Sequence, residues 1–360
     1  MRTVGFNYVI VRNGADYGKI WPAQNNTPSL RMSEDGAIKM NLSGEFLPTV
    51  FGFDDRPVAG AEVDWLSDQI RAELVLDGTV YPLGVFLPST VQESSNISGT
   101  ELKTLQVQAY DRCWIVQDHY TESTQYFASG TGYMEAVETL LAAAGIALIS
   151  ATASEATLAE AREDWDIGTS YLDIINQLLS EINYKPLWFN QGGAAVLEPA
   201  SVPSAGNIDH VFDLRDPSVL IRPRIRRKTD VFNAPNVFIC VCSNADKDAP
   251  MVATSENTNP QSPLAIQRRG RRIAKVVQVD NIADQTELQA YADRLRNESL
   301  ITSETIQLTT GLLPGFGVGD VVGLIAGDQM DVCIERSWSM ELRPGGNMQH
   351  TLEKVVVNLG

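Results

Sequence analysis

Three glycines, Gly315, Gly317 and Gly319, stand inside GLLPGFGVGDVVGLIAGDQMDVCIERSWSMEL, the stretch from Gly311 to Leu342. Their spacing is that of part of a phosphate-binding loop. Such a loop needs a strand before it and a helix after it, so that the N–H groups of the helix start face the phosphates. A strand does precede, because Ile306 and Leu308 alternate with polar neighbours. The residues after the glycines also read as strand. DVVGLIA is short and β-branched, and Gly327-Asp328 then turns the chain. Beyond it Val332, Ile334, Trp338, Met340 and Leu342 alternate with Cys333, Glu335, Ser337, Ser339 and Glu341, a period of two. The glycines are therefore expected between strands, supplying positive φ or a bulge. No Gly-Lys-Ser or Gly-Lys-Thr occurs anywhere in the chain, which removes the phosphate-binding lysine as well.

Other reactive residue types are sparse. The three histidines are His119, His210 and His350, and none belongs to a His-Glu-x-x-His metal motif. His350, in NMQHTLEKVVV, is expected to be an ordinary sheet residue. The chain has neither the Gly-x-Ser-x-Gly of a nucleophile elbow nor a Cys-x-x-Cys pair. The four cysteines are Cys113, Cys240, Cys242 and Cys333. Alternation in NVFICVC puts Cys240 and Cys242 on one strand face, and Cys333 could join them around a metal or cluster. The spacing matches no zinc pattern, so reduced core thiols are expected instead. Acidic residues are plentiful, and REDWD (Arg162 to Asp166) is the densest cluster, expected to lead into the helix after it. No carboxylate pair stands out as a glycosidase site. Catalytic, cofactor-binding and metal-binding residues are accordingly expected to be none.

Charge narrows the class further. The formal net charge is −17, which argues against a sequence-reading nucleic-acid binder. It suits a surface that repels nucleic acid, such as the wall of a conduit. Positive charge gathers in RPRIRRK (Arg222 to Lys228) and QRRGRRIAK (Gln267 to Lys275). Neither run carries the interleaved aromatics of a single-strand binder, so ion pairing between subunits is the expected use. The first residues, MRTVGFNYVIVRNG, have too short an apolar run for a signal peptide, and no window reaches the roughly 20 apolar residues of a bilayer span. A protein made and kept in a cytoplasm, or released by lysis, is expected.

The elements that must position these residues are mostly strands. Residues 1–120 carry turn signals at Asn13-Gly14, Asp35-Gly36, Ser43-Gly44 and Asp77-Gly78. Short segments lie between them, and in LKTLQVQAYD the residues Leu105, Val107 and Ala109 alternate with Gln106, Gln108 and Tyr110. That predicts a barrel or sandwich of half-buried strands. Residues 121–203 read as a small α+β domain. In GYMEAVETLLAAAG, Val137, Leu140, Leu141 and Ala144 share a helical face that Gly145 ends. ATASEATLAEAREDWD is Ala- and Glu-rich and suggests a short helical turn. In SYLDIINQLLSEINY, Ser170 and Asp173 fit a capping pair, and Ile174, Ile175, Leu178, Leu179 and Ile182 form the stripe. Residues 204–360 return to β, with a polar, mobile loop expected at about 244–262 and an inserted helix at about 284–299 capped by Asp284 and Glu287. The fold class expected is mainly β with α+β: two β-barrel domains plus a small α+β domain. Trp65, Trp114, Trp188 and Trp338 are scattered among apolar or alternating residues, which points to core packing rather than a sugar platform.

This order of parts resembles a known family. A β domain ends in AYDR, a small domain comes next with YLDIINQLLSEINYKPLWFNQGG, and a second β domain holds ELQAYADRL, LLPGFGVGDVVGL and a closing antiparallel pair. It is similar to the tail hub (baseplate hub) proteins of tailed bacteriophages and related contractile injection machines. The resemblance implies two barrels related to the tail-tube subunit and a homotrimeric, pseudo-six-fold ring. That ring would adapt a six-fold tail tube to a three-fold tip in the virion, after assembly in the bacterial host cytoplasm. The implied partners are other copies of the chain, a tail tube or distal tail ring protein, and a tail-tip, spike or fibre protein. DNA would pass through the lumen without specific binding, and no cofactor is implied. The chain stops shortly after HTLEKVVVNLG, so hydrolase or receptor-binding activities are expected on another polypeptide. The alternative reading is a two-domain β carbohydrate-active enzyme or glycan-binding module acting on the cell surface.

Overall fold

Alternating sequence becomes alternating burial in the computed structural model. It describes residues 3–94, 103–201, 203–216, 225–229, 234–242, 250–262, 264–279, 282, 285–299 and 301–355. The chain is mainly β and divides into two compact units. The first holds residues 1–200, 310–318 and 337–349, and the second 201–309, 319–336 and 350–360.

In the first unit, β1 (Val4–Arg12) and β2 (Ala15–Ile20) form a hairpin. Asn13 and Gly14 take φ of 51° and 77°, the left-handed pair that a two-residue turn between right-twisted strands demands. β3 (Ser29–Ser33), β4 (Met40–Phe46), β5 (Gln69–Leu76), β6 (Thr79–Ser94) and β7 (Thr104–Asp111) continue the sheet in the order β3-β4-β7-β6-β5-β1-β2. Backbone bonds then bring Lys19 against Phe51, Trp21 against Leu47 and Ala23 against Glu45. The end of β2 thereby joins the chain leaving β4, and the sheet closes on itself. Leu105, Val107 and Ala109 of β7 point inward at 6%, 0% and 0% exposure, as their alternation requires. Ser43-Gly44 is not a turn: both residues lie within β4. The glycine is there because a Cβ on Gly44 would stand 2.9 Å from Cβ of Pro28.

The rest of this unit is the α+β part. It comprises α1 (Cys113–Asp118), β8 (Gln125–Phe127), α2 (Tyr133–Ala143), β9 (Ile149–Ala151), β10 (Arg162–Trp165), α3 (Tyr171–Glu181), β11 (Trp188–Phe189) and β12 (Ala195–Leu197). Val137, Leu140 and Leu141 of α2 pack with Ile174, Ile175, Leu178 and Leu179 of α3 in one core. At the start of α3 the Asp173 N–H donates to Ser170 Oγ at 3.1 Å and Ser170 Oγ donates to Asp173 Oδ2 at 2.6 Å, the reciprocal cap read from sequence. The helical turn expected before REDWD is absent: residues 162–165 are strand β10, paired with β8. Arg162 draws the acidic cluster inward, binding Asp164 at 2.6 Å and Glu181 at 2.8 Å.

In the second unit, β13 (His210–Asp213) and β14 (Arg226–Thr229) precede a three-stranded sheet of β15 (Val237–Cys242), β16 (Met251–Glu256) and β17 (Ala274–Val279). The short helix α4 (Ile266–Arg269) lies before β17, and α5 (Gln285–Ser299) comes after it. The stretch expected as a polar loop at about 244–262 therefore contains a strand, β16; residues 243–249 lie outside the described residues, as does the Asp284 cap. β16 reads as polar because Ser255, though 3% exposed, gives its hydroxyl to Asp293 of α5. The chain closes with β18 (Ile301–Thr310), β19 (Val321–Ala326), β20 (Gln329–Glu341) and β21 (Met348–Val355). β19 pairs antiparallel with β20 and parallel with β13. The last residues of β20 pair with β3, which is why 337–349 belong to the first unit.

Candidate structural junctions and the buried histidine pair

The glycine stretch makes a turn between strands. β18 precedes it and β19 comes after it, so a strand stands where a phosphate loop needs a helix start. Gly315 and Gly319 take φ of 96° and 67°, where side chains with a Cβ are strained. Leu312, Phe316 and Val318 are buried, and Gln191 Nε2 donates to the Phe316 carbonyl at 2.6 Å.

That bond joins the QGG turn to the LLPGFG turn, and a second junction brings in AYDR. There, Tyr110 stacks on Trp114 with ring centres 5.0 Å apart. Asp111 is 2% exposed and accepts from the Met40 N–H at 2.6 Å and the Cys113 N–H at 2.9 Å, so it ties β4 and the start of α1 to the end of β7. Burial pushes its carboxyl up to about 6. Arg112 donates to Gln69 Oε1 through Nε at 3.1 Å and through a terminal nitrogen at 2.9 Å. Its other terminal nitrogen donates to the Gly193 carbonyl at 3.0 Å. AYDR, the QGG turn and the LLPGFG turn thus meet within the first unit as structural joints.

The four cysteines are buried thiols outside any disulfide. Cys240 and Cys242 share the face of β15 that packs on Leu288 and Ala292 of α5. Burial holds the Cys113 thiol well above its ordinary range and pushes Cys333 up to about 12. Among the described residues no three His, Cys, Asp or Glu side chains are placed to share a metal ion. Trp338 is 5% exposed, in keeping with a core role, while Trp65, Trp114 and Trp188 are half-buried.

The basic runs are partly engaged inside the chain. Arg227 binds Glu304 at 3.2 Å and Asp331 at 3.0 Å, and Lys354 binds Asp331 at 2.6 Å. Arg272 binds Glu256 at 2.6 Å. Arg227 and Arg272 thus have carboxylate partners within the chain. Arg222 and Arg224 lie outside the described residues.

His350 is more than an ordinary sheet residue. Its Nδ1 lies 2.6 Å from Glu335 Oε2, and both side chains are fully buried. Phe212 packs edge-on against the imidazole at 5.2 Å. Burial, with the nearby His210, lowers His350 to about 3, and burial pushes the Glu335 carboxyl well above the usual range. A second pair stands beside it, His210 Nε2 to Asp320 Oδ2 at 3.0 Å. Sequence placed Glu335 and His350 on strands, but nothing local announces a partner fifteen residues away across a ladder.

No family profile matches the chain, and no curated protein matches it. Solved structures do. A tail protein from Neisseria meningitidis MC58 superposes with a TM-score of 0.64 at 14% identity, covering 97% of this chain and 96% of its own. The 43 kDa tail protein of prophage MuSo2 from Shewanella oneidensis gives 0.65 at 12% identity, covering 97% and 98%. The E. coli c3393 protein, a component of the type VI secretion system with structural similarity to T4 bacteriophage tail proteins gp27 and gp5, gives 0.52 at 9% identity, covering 95% and 77%. From end to end, the chain has the mainly β fold of phage tail proteins and of their type VI secretion counterpart, in line with the hub resemblance read from its motifs.

Proposed function

We propose that the chain is a structural hub of a phage-type tail tip and not an enzyme. In this reading three copies form a ring. The β regions 1–120 and 204–360 are its two tube-like barrels per copy, with 121–203 as the small α+β domain. The ring joins a six-fold tail tube, or a distal tail ring protein, to a three-fold tip that carries a spike or fibre. It forms part of the DNA conduit of the virion and assembles in the bacterial host cytoplasm. The observation that carries the reading is the two-way coverage: phage tail proteins match this chain over nearly the whole of both lengths. The net charge of −17 supports it, because DNA carries about one charge per 1.7 Å of axis and an acidic wall leaves a passing duplex loosely held.

Light scattering of the purified chain tests this reading. A mass of three chains is expected, with no salt-sensitive retention of duplex DNA. A stable two-fold dimer, or tight DNA binding that salt abolishes, would contradict it.

A further inference from the structure

Among the described residues, the three-stranded sheet of the second unit is covered on one face only. Cys240, Cys242 and Ala253 face α5. On the opposite face the register sets Ile239 between Thr254 and Val276, and Val241 between Val252 and Gln278. Val252 is 50% and Val276 60% exposed. A sheet wet on one side normally carries polar residues there, and this one carries β-branched apolar side chains. A cationic rim at one end of the face is formed by Arg268, Arg269, Arg271 and Arg272, which lead into β17 with no acidic residue among them, while Lys275, opposite Phe238, is on the side toward α5. The Arg272–Glu256 ion pair sits at one end of the face, where Glu256 stands opposite Val237.

The first unit presents the complement. The loop between β4 and β5 exposes Phe53 (54%), Val58 (44%) and Leu66 (99%). Around them Asp54, Asp55, Glu62 and Asp64 are exposed, against Arg56 and against Lys19, which binds Asp55 at 3.2 Å. The loop is held in shape. Arg12 clamps Asp68 through two bonds of 2.7 Å and reaches the Glu62 carbonyl at 2.9 Å. Asp64 accepts from the Leu66 N–H at 3.1 Å and from Ser67 Oγ at 2.6 Å. A fully exposed leucine on a fixed turn is pre-organised for a partner.

We propose that these two patches are the halves of one contact between neighbouring copies of this chain. Phe53, Val58 and Leu66 of one copy cover Ile239, Val241, Val252 and Val276 of the next, and the acidic loop faces the cationic rim. The occupant is a second copy because both halves, complementary in charge and each apolar at its centre, stand on this same chain, and that complementarity offsets the repulsion between chains of net charge −17. The apolar centre excludes a nucleic acid. The two halves differ, so the contact is heterologous and suits a closed ring. This inference rests on the proposed three-copy ring.

The test uses the full chain and two double variants, Val252→Glu with Val276→Glu and Phe53→Glu with Leu66→Glu. All four positions are exposed, and circular dichroism checks that the fold is kept. By sedimentation velocity the wild type self-associates and each variant alone is monomeric. An equimolar mixture of the two variants gives a heterodimer and nothing larger, because only one intact contact can form. A wild-type trimer that either variant leaves unchanged refutes the contact and spares the ring. A mixture that stays monomeric also refutes the contact. A wild type that is monomeric at its highest soluble concentration refutes both.

Discussion

The Glu335–His350 pair should give stability a pH dependence whose sign is fixed by proton counting. In the folded chain burial raises Glu335 and lowers His350 to about 3, so at neutral pH the pair holds one proton. In the unfolded chain a glutamate titrates near about 4.3 and a histidine near about 6.5. Between those values the unfolded pair also holds one proton, and stability is flat. Glu335, raised on folding, contributes stability that is fully present below about 4.3 and lost as pH rises. His350, depressed, contributes stability that is fully present above about 6.5 and lost as pH falls. Their sum declines by about 1.4 kcal/mol per pH unit above about 6.5 and by a similar amount below about 4.3. The titratable side chains facing the pair, Asp320 and His210, lie 3.0 Å from each other and are kept in the comparison. The perturbation is Glu335→Gln, which keeps the shape and removes the titrating carboxyl. Urea unfolding of wild type and variant, followed by tryptophan fluorescence from pH 5 to pH 9, isolates the pair. The wild type should lose stability relative to the variant as pH rises above about 6.5, by up to about 1.4 kcal/mol per pH unit for as long as the folded carboxyl keeps its proton. A difference that stays constant over that range would refute the shared proton. Glu335→Ala, which leaves a buried neutral histidine without its hydrogen-bond partner, should cost about 1–3 kcal/mol near neutral pH and less as pH rises.

The junctions give two further expected outcomes. Gly319→Val places a β-branched residue at φ 67° and should destabilise the chain by at least about 1–2 kcal/mol in urea unfolding, while calorimetry finds no ATP or NAD binding in the wild type. Arg112→Ala removes the bonds to Gln69 and Gly193; a loss of about 1.5–3 kcal/mol and faster limited proteolysis near residue 193 are expected, and unchanged cleavage would show that the joint is dispensable.

What could be read from sequence was whatever one element decides for itself. The β7 alternation, the α2 and α3 stripes and the Ser170 cap depend on neighbours within one strand or helix, and each appears where its period puts it. The strand–turn–strand reading of the glycine stretch rests on the same logic. The misses are residues whose meaning comes from a distant partner. Gly44 imitates a turn signal until Pro28 lies against it. β16 imitates a loop because the helix that satisfies Ser255 lies further along the chain. ATASEATLAEAREDWD imitates a helical turn by composition, but its last residues pair with β8. His350 was placed correctly on a strand, but its proton-sharing partner is invisible without the ladder.

A reconstruction of the tail tip by electron cryo-microscopy tests the central claim most directly. The account predicts three copies of this chain around the tail axis, with barrels lining a channel wide enough for duplex DNA and residues 51–68 of each copy against the β15–β16–β17 sheet of its neighbour. Density that places the chain outside the axis, in another copy number or away from the channel, would contradict it.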